Sequence, residues 1–307
     1  MARPVIFVTG LTGTQGGAVA RLALEKGWGV RGVVRTPDSP AAVALASQGA
    51  ELVPGDYDDA QALAHAFVGC TAAFIALRPN PADVGAEPRW ARSLLTIAKA
   101  RGVKTVVCST AVGLGKLEQL DGYTPGTLFA QLILGKRDVD EAVRTAGIDH
   151  WTLLHPASFM ANFLEPKVAM YAGFRETNTW VSALRPDTQL PLIDERDIAV
   201  FAVAAVEDPA TFHGQELDLG LEALTASEIM AALSAASGKA LKAAYLSEEE
   251  IAANMSSPLV AGSLALRSLK SLVDFDKIKE YGIPLSTFTQ YLERNKDAVK
   301  KTYEQCA

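Results

Sequence analysis

From Val5 to about Pro156 the chain alternates short apolar runs with longer stretches whose apolar residues recur at helical spacing. The runs Val5–Thr9, Val30–Arg35, Glu51–Pro54, Ala72–Leu77, Lys104–Ser109 and Trp151–Leu154 are apolar on both faces, which predicts strands of a parallel sheet covered on both sides. Between them Gly16–Lys26, Ala41–Gln48, Asp59–Val68, Arg89–Arg101 and a stretch ending at Thr145 predict helices. Right-handed crossovers then make this a doubly wound α/β sheet. Past Pro156 the rhythm changes, and Pro166, Pro186 and Pro191 punctuate the chain. A helix is expected from about Asp197 to Glu207 and a strand over Gln215–Leu219. Thr225 and Glu228 have the spacing of a capping box opening a helix to Ala236, which Gly238 ends. Ser247 to Tyr303 reads as mostly helical, with a turn at Gly282–Pro284.

Composition removes several classes of function. At 307 residues, 49% hydrophobic and 21% charged, the chain has the balance of an ordinary globular protein with a large core. A net charge of −6 argues against a nucleic-acid partner. Cys70, Cys108 and Cys306 lie far apart without metal-ligand spacing, so neither a disulfide framework nor a metal site is expected, and a reducing compartment suits them. The uncharged run Ala60–Leu77 contains Gln61, His65, Gly69 and Thr71, so it reads as helix, break and buried strand rather than a membrane span. The first residues run straight into a glycine loop, so no signal peptide is expected there. These features predict a cytoplasmic protein without membrane attachment.

That loop, VTGLTGTQGG at 8–17, follows a predicted strand and opens a predicted helix, the context a dinucleotide site requires. Gly10 permits the tight turn, Gly13 lets the backbone approach a pyrophosphate, and Gly16 allows close helix–strand contact, with Thr12, Thr14 and Gln15 completing the cradle. The second strand ends VVRT at 33–36, with no acid before Asp38. An NAD site needs a carboxylate there, whereas Arg35 suits a 2′-phosphate, so NADP(H) is the expected cofactor. Asp56 after the third strand either accepts from the adenine amino group or is an ordinary helix cap. The backbone of Ala76 and Leu77 should flank the nicotinamide ribose.

With these residues in view, the chain resembles the NmrA-like group of atypical short-chain dehydrogenases/reductases. The landmarks are the glycine loop, VVRT, SQGAELVPGDYDD at 47–59, GKRDVDEAVRTAGI at 135–148, HPASFMANF at 155–163, DERDIA at 194–199, LTASEIMAALSAASGK at 224–239 and YGIPLSTFTQYLE at 281–293. The resemblance implies an extended Rossmann domain, NADP(H) preference, and a smaller, mainly helical C-terminal substrate domain with a cleft between the two. The expected boundaries are 1–155 for the cofactor domain, with 191–220 returning to it, and 156–190 plus 221–307 for the substrate domain. It also implies a divided function: some members are NADP-sensing regulators, others reduce double bonds, carbonyls or imines, many in fungal biosynthesis.

Hydride transfer needs a proton donor near the nicotinamide. The usual Tyr four residues before the lysine is absent here: Lys136 matches the family lysine, but Leu132 occupies the earlier position. Tyr123 lies upstream of Pro125–Gly126, which interrupts any helix joining it to Lys136. Lys136 itself holds the ribose or exchanges a proton with substrate; the alternative is a solvent-facing lysine on an amphipathic helix. Ser109, at a strand end, either bonds substrate or serves a turn. His155 stands where the resembled motif has Arg, leaving an imidazole at the cofactor or a buried structural histidine. Phe159 and Met160 should line an apolar pocket wall with Phe163, and Asn162 is a substrate contact or a local cap. The expected function is an NADP(H)-dependent oxidoreductase reducing a small apolar carbonyl, imine or enone, with fungal-type secondary metabolism as its setting. The alternatives are a nonenzymatic NADP-sensing regulator binding a protein partner, or a cofactor-assisted nonredox rearrangement. A homodimer is compatible with each.

Overall fold

The computed structural model describes residues 3–304. In chain order the elements are β1 (Val5–Val8), α1 (Thr14–Glu25), β2 (Gly29–Val34), α2 (Pro40–Ser47), β3 (Glu51–Pro54), α3 (Ala60–Ala66), β4 (Ala72–Ile75), α4 (Ala86–Ala100), β5 (Thr105–Ser109), α5 (Leu128–Thr145) and β6 (His150–Pro156). There follow β7 (Ser158–Phe159), α6 (Phe174–Thr177), β8 (Thr179–Ser182), β9 (Leu190–Ile193), α7 (Glu195–Glu207), α8 (Pro209–Phe212), β10 (Gln215–Leu219) and β11 (Glu222–Leu224). The chain ends with α9 (Ala226–Ser237), β12 (Lys242–Tyr245), α10 (Glu248–Ala253), α11 (Pro258–Leu272), α12 (Phe288–Arg294) and α13 (Lys296–Tyr303). Cys306 lies outside the described residues. None of the described helices is long and apolar enough to cross a membrane.

Two compact units result. The first comprises the chain up to Ala111, Leu132–His155 and Glu195–Leu217; the second comprises Val112–Gln131, Pro156–Asp194 and the chain from Asp218. In the first, the sheet order is β10-β6-β5-β4-β1-β2-β3, and the pairings from β3 through to β6 are parallel. The strand order reverses between β1 and β4, and in such sheets ligands bind at the carboxyl ends of the strands beside this switch point. Strands β4 and β5 are buried along their whole length, as expected for a sheet covered on both faces. Phe7, Ala73, Ile75, Val106, Cys108 and Leu153 meet the apolar faces of α3, α4 and α5 in one core. On α1 the apolar positions pack against α7.

The second unit has more strand than the sequence suggests. A three-stranded sheet runs β11-β9-β7, and β12 pairs in parallel with β8. Its core is aromatic: Phe163, Tyr171, Trp180 and Phe288 pack ring against ring, with Met160 and Leu192 fully buried beside them. The Thr225–Glu228 capping box forms in both directions, and Gly238 ends α9 in the left-handed conformation. Thr225→Ala should lower unfolding free energy by about 1 kcal/mol, the usual worth of a helix cap. A urea titration with unchanged midpoint would contradict it.

Candidate active site

The loop between β1 and α1 lies at the switch point, and its shape follows from three short-range constraints. Gly10 adopts a positive φ of 60°, which L side chains rarely take. A methyl at Gly16 would lie 2.2 Å from the Thr9 carbonyl oxygen, so only glycine lets α1 start this close to β1. Thr9 fixes the base of the loop: its Oγ1 accepts from the Ala76 N–H at 2.7 Å and donates to the Ala76 carbonyl at 3.2 Å. The Ala76 backbone is thereby committed to Thr9, and Leu77 is buried in the core.

Helix α1 begins at Gly13 without a side-chain cap and without an acid in its first turn. Its leading N–H groups and the positive end of its dipole are left for an anion. Thr12 and Gly13 are exposed, while Thr14 and Gln15 are half-buried. This cradle fits a pyrophosphate.

Arg35 follows β2, is exposed, and makes no hydrogen bond or ion pair with any described residue. Its charge nevertheless reaches Tyr57, whose Oη accepts from the Gly10 N–H at 2.8 Å. Burial pushes the Tyr57 phenol up, against the pull of the Gly10 and Thr9 hydrogen bonds and the Arg35 charge. Arg35 and the glycine loop therefore share one neighbourhood. Asp56 uses Oδ1 to accept from the N–H groups of Asp58 (2.9 Å) and Asp59 (3.2 Å) and so holds a turn; the helix cap expected of it is supplied by Asp59, which caps α3.

At the ends of β5 and β6 the polar side chains pair with one another. The Ser109 hydroxyl donates to Gln15 Oε1 at 2.6 Å, tying β5 to the first turn of α1. Thr110 Oγ1 donates to Asp140 Oδ1 at 2.8 Å, and His155 Nε2 lies 3.1 Å from Asp140 Oδ2. His155 is thus buried on a carboxylate from α5. Lys136 is not a solvent-facing lysine: its Nζ is 2.7 Å from Glu87 Oε1, with the side chains only 16% and 4% exposed. Burial pushes the Glu87 carboxyl up; Lys136 pulls it down, and Asp140 pushes it up. The fully buried Cys108 thiol is held well above its ordinary range by burial, and it too senses Asp140, Lys136 and Glu87.

Three residues of this site were not anticipated. Asp140 had a signal, since it lies four residues after Lys136 on the same helical face. Glu87 and Tyr57 had none. Other candidates fall elsewhere. Tyr123 sits in the turn before α5, which starts only at Leu128, so it shares no helix face with Lys136. Met160 and Phe163 are 0% and 1% exposed and belong to the second unit's core, so they do not form a pocket wall there. Phe174 and Trp180 pack in the same core. Phe159 is half-buried under the Lys167 ammonium, and Asn162 is half-buried.

A model of the NmrA-like family matches residues 3–296. The chain belongs to this family. Among curated NmrA-like and related proteins, the NAD(P)H azoreductase of Xenophilus azovorans is 29% identical over 298 residues, covering 94% of this chain and 96% of the relative. The (4-alkanoyl-5-oxo-2,5-dihydrofuran-3-yl)methyl phosphate reductase of Streptomyces griseus is 30% identical over 238 residues, covering 78% and 76%. Among solved structures, NmrA, a negative transcriptional regulator in complex with NAD, superposes with a TM-score of 0.75 at 18% identity, covering 98% of both chains. The fold is thus that of the NmrA-like proteins.

Proposed function

We propose that this NmrA-like protein is an NADP(H)-dependent oxidoreductase that reduces a small carbonyl, imine or enone. Bound NADPH supplies the hydride. The first-turn N–H groups of α1 would hold its pyrophosphate, Arg35 its 2′-phosphate, and Lys136 its nicotinamide ribose. Lys136 is also the group suited to deliver a proton to the substrate heteroatom, since Leu132 removes the usual phenol. The Ser109 hydroxyl already donates to Gln15, so it can donate to substrate only by exchanging that partner.

The observation that carries this reading is the ion pair that draws Lys136 out of solvent onto Glu87, in the same unit as the uncapped glycine-loop helix. The two curated relatives, both reductases by name, support the reaction class. Spectrophotometry of NADPH against a panel of carbonyls, imines and enones tests it. Tight NADPH binding with no turnover across the panel would replace this reading with that of an NADP-sensing regulator.

The preference for NADP(H) over NAD(H) is assigned to Arg35. Arg35→Ala should lose about 1.5–3 kcal/mol of NADPH affinity, roughly ten- to a hundredfold, and little NADH affinity. Calorimetry with both cofactors measures this, and equal affinities in the unaltered protein would refute it.

A further inference from the structure

Glu87 occupies the first turn of α4, where an acid is favourable to the helix dipole, yet it is 3% exposed and its partner is a lysine from α5. A buried ion pair contributes little to stability relative to apolar side chains of the same volume. What this pair does is fix the position of one ammonium at the end of a flexible chain.

The neighbourhood shows why a dedicated partner is needed. Asp140 lies one helical turn beyond Lys136 on α5 and is a second buried carboxylate within reach of the same face. Both its oxygens are engaged, Oδ1 by Thr110 and Oδ2 by His155. Glu87 and Asp140 are close enough to sense each other. With Glu87 neutral, Asp140, one turn along the same helix, is the buried carboxylate left to attract the Lys136 ammonium.

We propose that Glu87 is a positioning residue that holds Lys136 Nζ away from Asp140 and presents it to the nicotinamide ribose of bound NADP(H). The proposal rests on the NADP(H) reading above. It makes Glu87 act only through Lys136, and only on the nicotinamide half of the cofactor.

Adenosine 2′,5′-bisphosphate separates the two halves, because it carries the 2′-phosphate for Arg35 but no nicotinamide ribose. Calorimetry with NADP+ and with this bisphosphate is run on the unaltered protein, Glu87→Gln, Lys136→Met and the double variant. Glu87→Gln should weaken NADP+ by about five- to tenfold, the scale of one displaced charged hydrogen bond, and leave the bisphosphate within about twofold. In the Lys136→Met background the same change should add nothing, since residues acting as one unit are not additive. Unchanged NADP+ binding in Glu87→Gln overturns the proposal. So does an equal loss for both ligands, which would mean the pair merely supports the fold, or a full further loss in the Lys136→Met background. If Glu87→Gln does not fold, Glu87→Asp, which keeps the charge and shortens the reach, should weaken NADP+ selectively; NADP+ binding equal to the unaltered protein then refutes the idea. Unaltered protein that binds neither ligand refutes the cofactor reading itself, and the positioning role with it, before any variant is compared.

Discussion

Gly13→Val should leave a folded protein that no longer binds NADPH, with affinity lower by at least about a hundredfold. The fold survives because the change is local and exposed. Gly13 has φ −96°, which valine accepts, and a Cβ there would stand 3.1 Å from the Gly10 carbonyl oxygen, a contact that a shift of a few tenths of an ångström relieves. Binding does not survive, because the added branches stand over the first-turn N–H groups of α1, where the pyrophosphate must come within hydrogen-bond distance. NADPH fluorescence titration beside a thermal melt separates the two effects. A variant that melts normally and binds NADPH normally would remove the phosphate-cradle assignment.

Lys136→Ala should lower turnover by roughly 10²–10⁴, the range for loss of a general acid, while NADPH affinity falls only by about tenfold for one ribose contact. The variant should fold, because burial already pushes the Glu87 carboxyl up, so Glu87 can take a proton once its partner is gone. Steady-state rates on the first substrate found by the NADPH screen, with affinity measured separately, decide among three roles. Turnover falling far more than affinity identifies a proton donor. Parallel falls identify an anchor for the ribose alone, and no change in either would take Lys136 out of the site.

The first unit was legible because its strands are short apolar runs between helical stretches. β3 and β10 match their expected ranges, and β1, β2, β4, β5 and β6 differ only at their ends. The strands of the second unit were not legible. β9 carries Pro191 at its second position, which normally argues against a strand, and β8 follows Asn178 in a left-handed conformation. Both strands owe their existence to tertiary pairing. The same division holds for the site. The glycines, Arg35 and Ser109 stood out by spacing and position, and Lys136 only by its match to the family motif. Glu87 did not, because an acid in a first helical turn usually faces solvent, and nothing local marks the one that will be covered. Met160 and Phe163 were misread for the converse reason: an apolar motif after a strand looks the same whether it walls a cavity or packs against Trp180.

The order in which the first unit's parts leave the ribosome has a cost for anyone dividing the gene. Helix α7 and strand β10, which cover α1 and lie beside β6, are encoded only after β7, β8 and β9 of the second unit. Until Glu195 and the residues after it emerge, the buried face of α1, with Ala18, Val19 and Ala23, lacks the helix α7 that packs against it. A fragment cut after His155 would keep every residue of the glycine loop and still carry this bare apolar face, and a domain boundary drawn there by sequence order would yield aggregate.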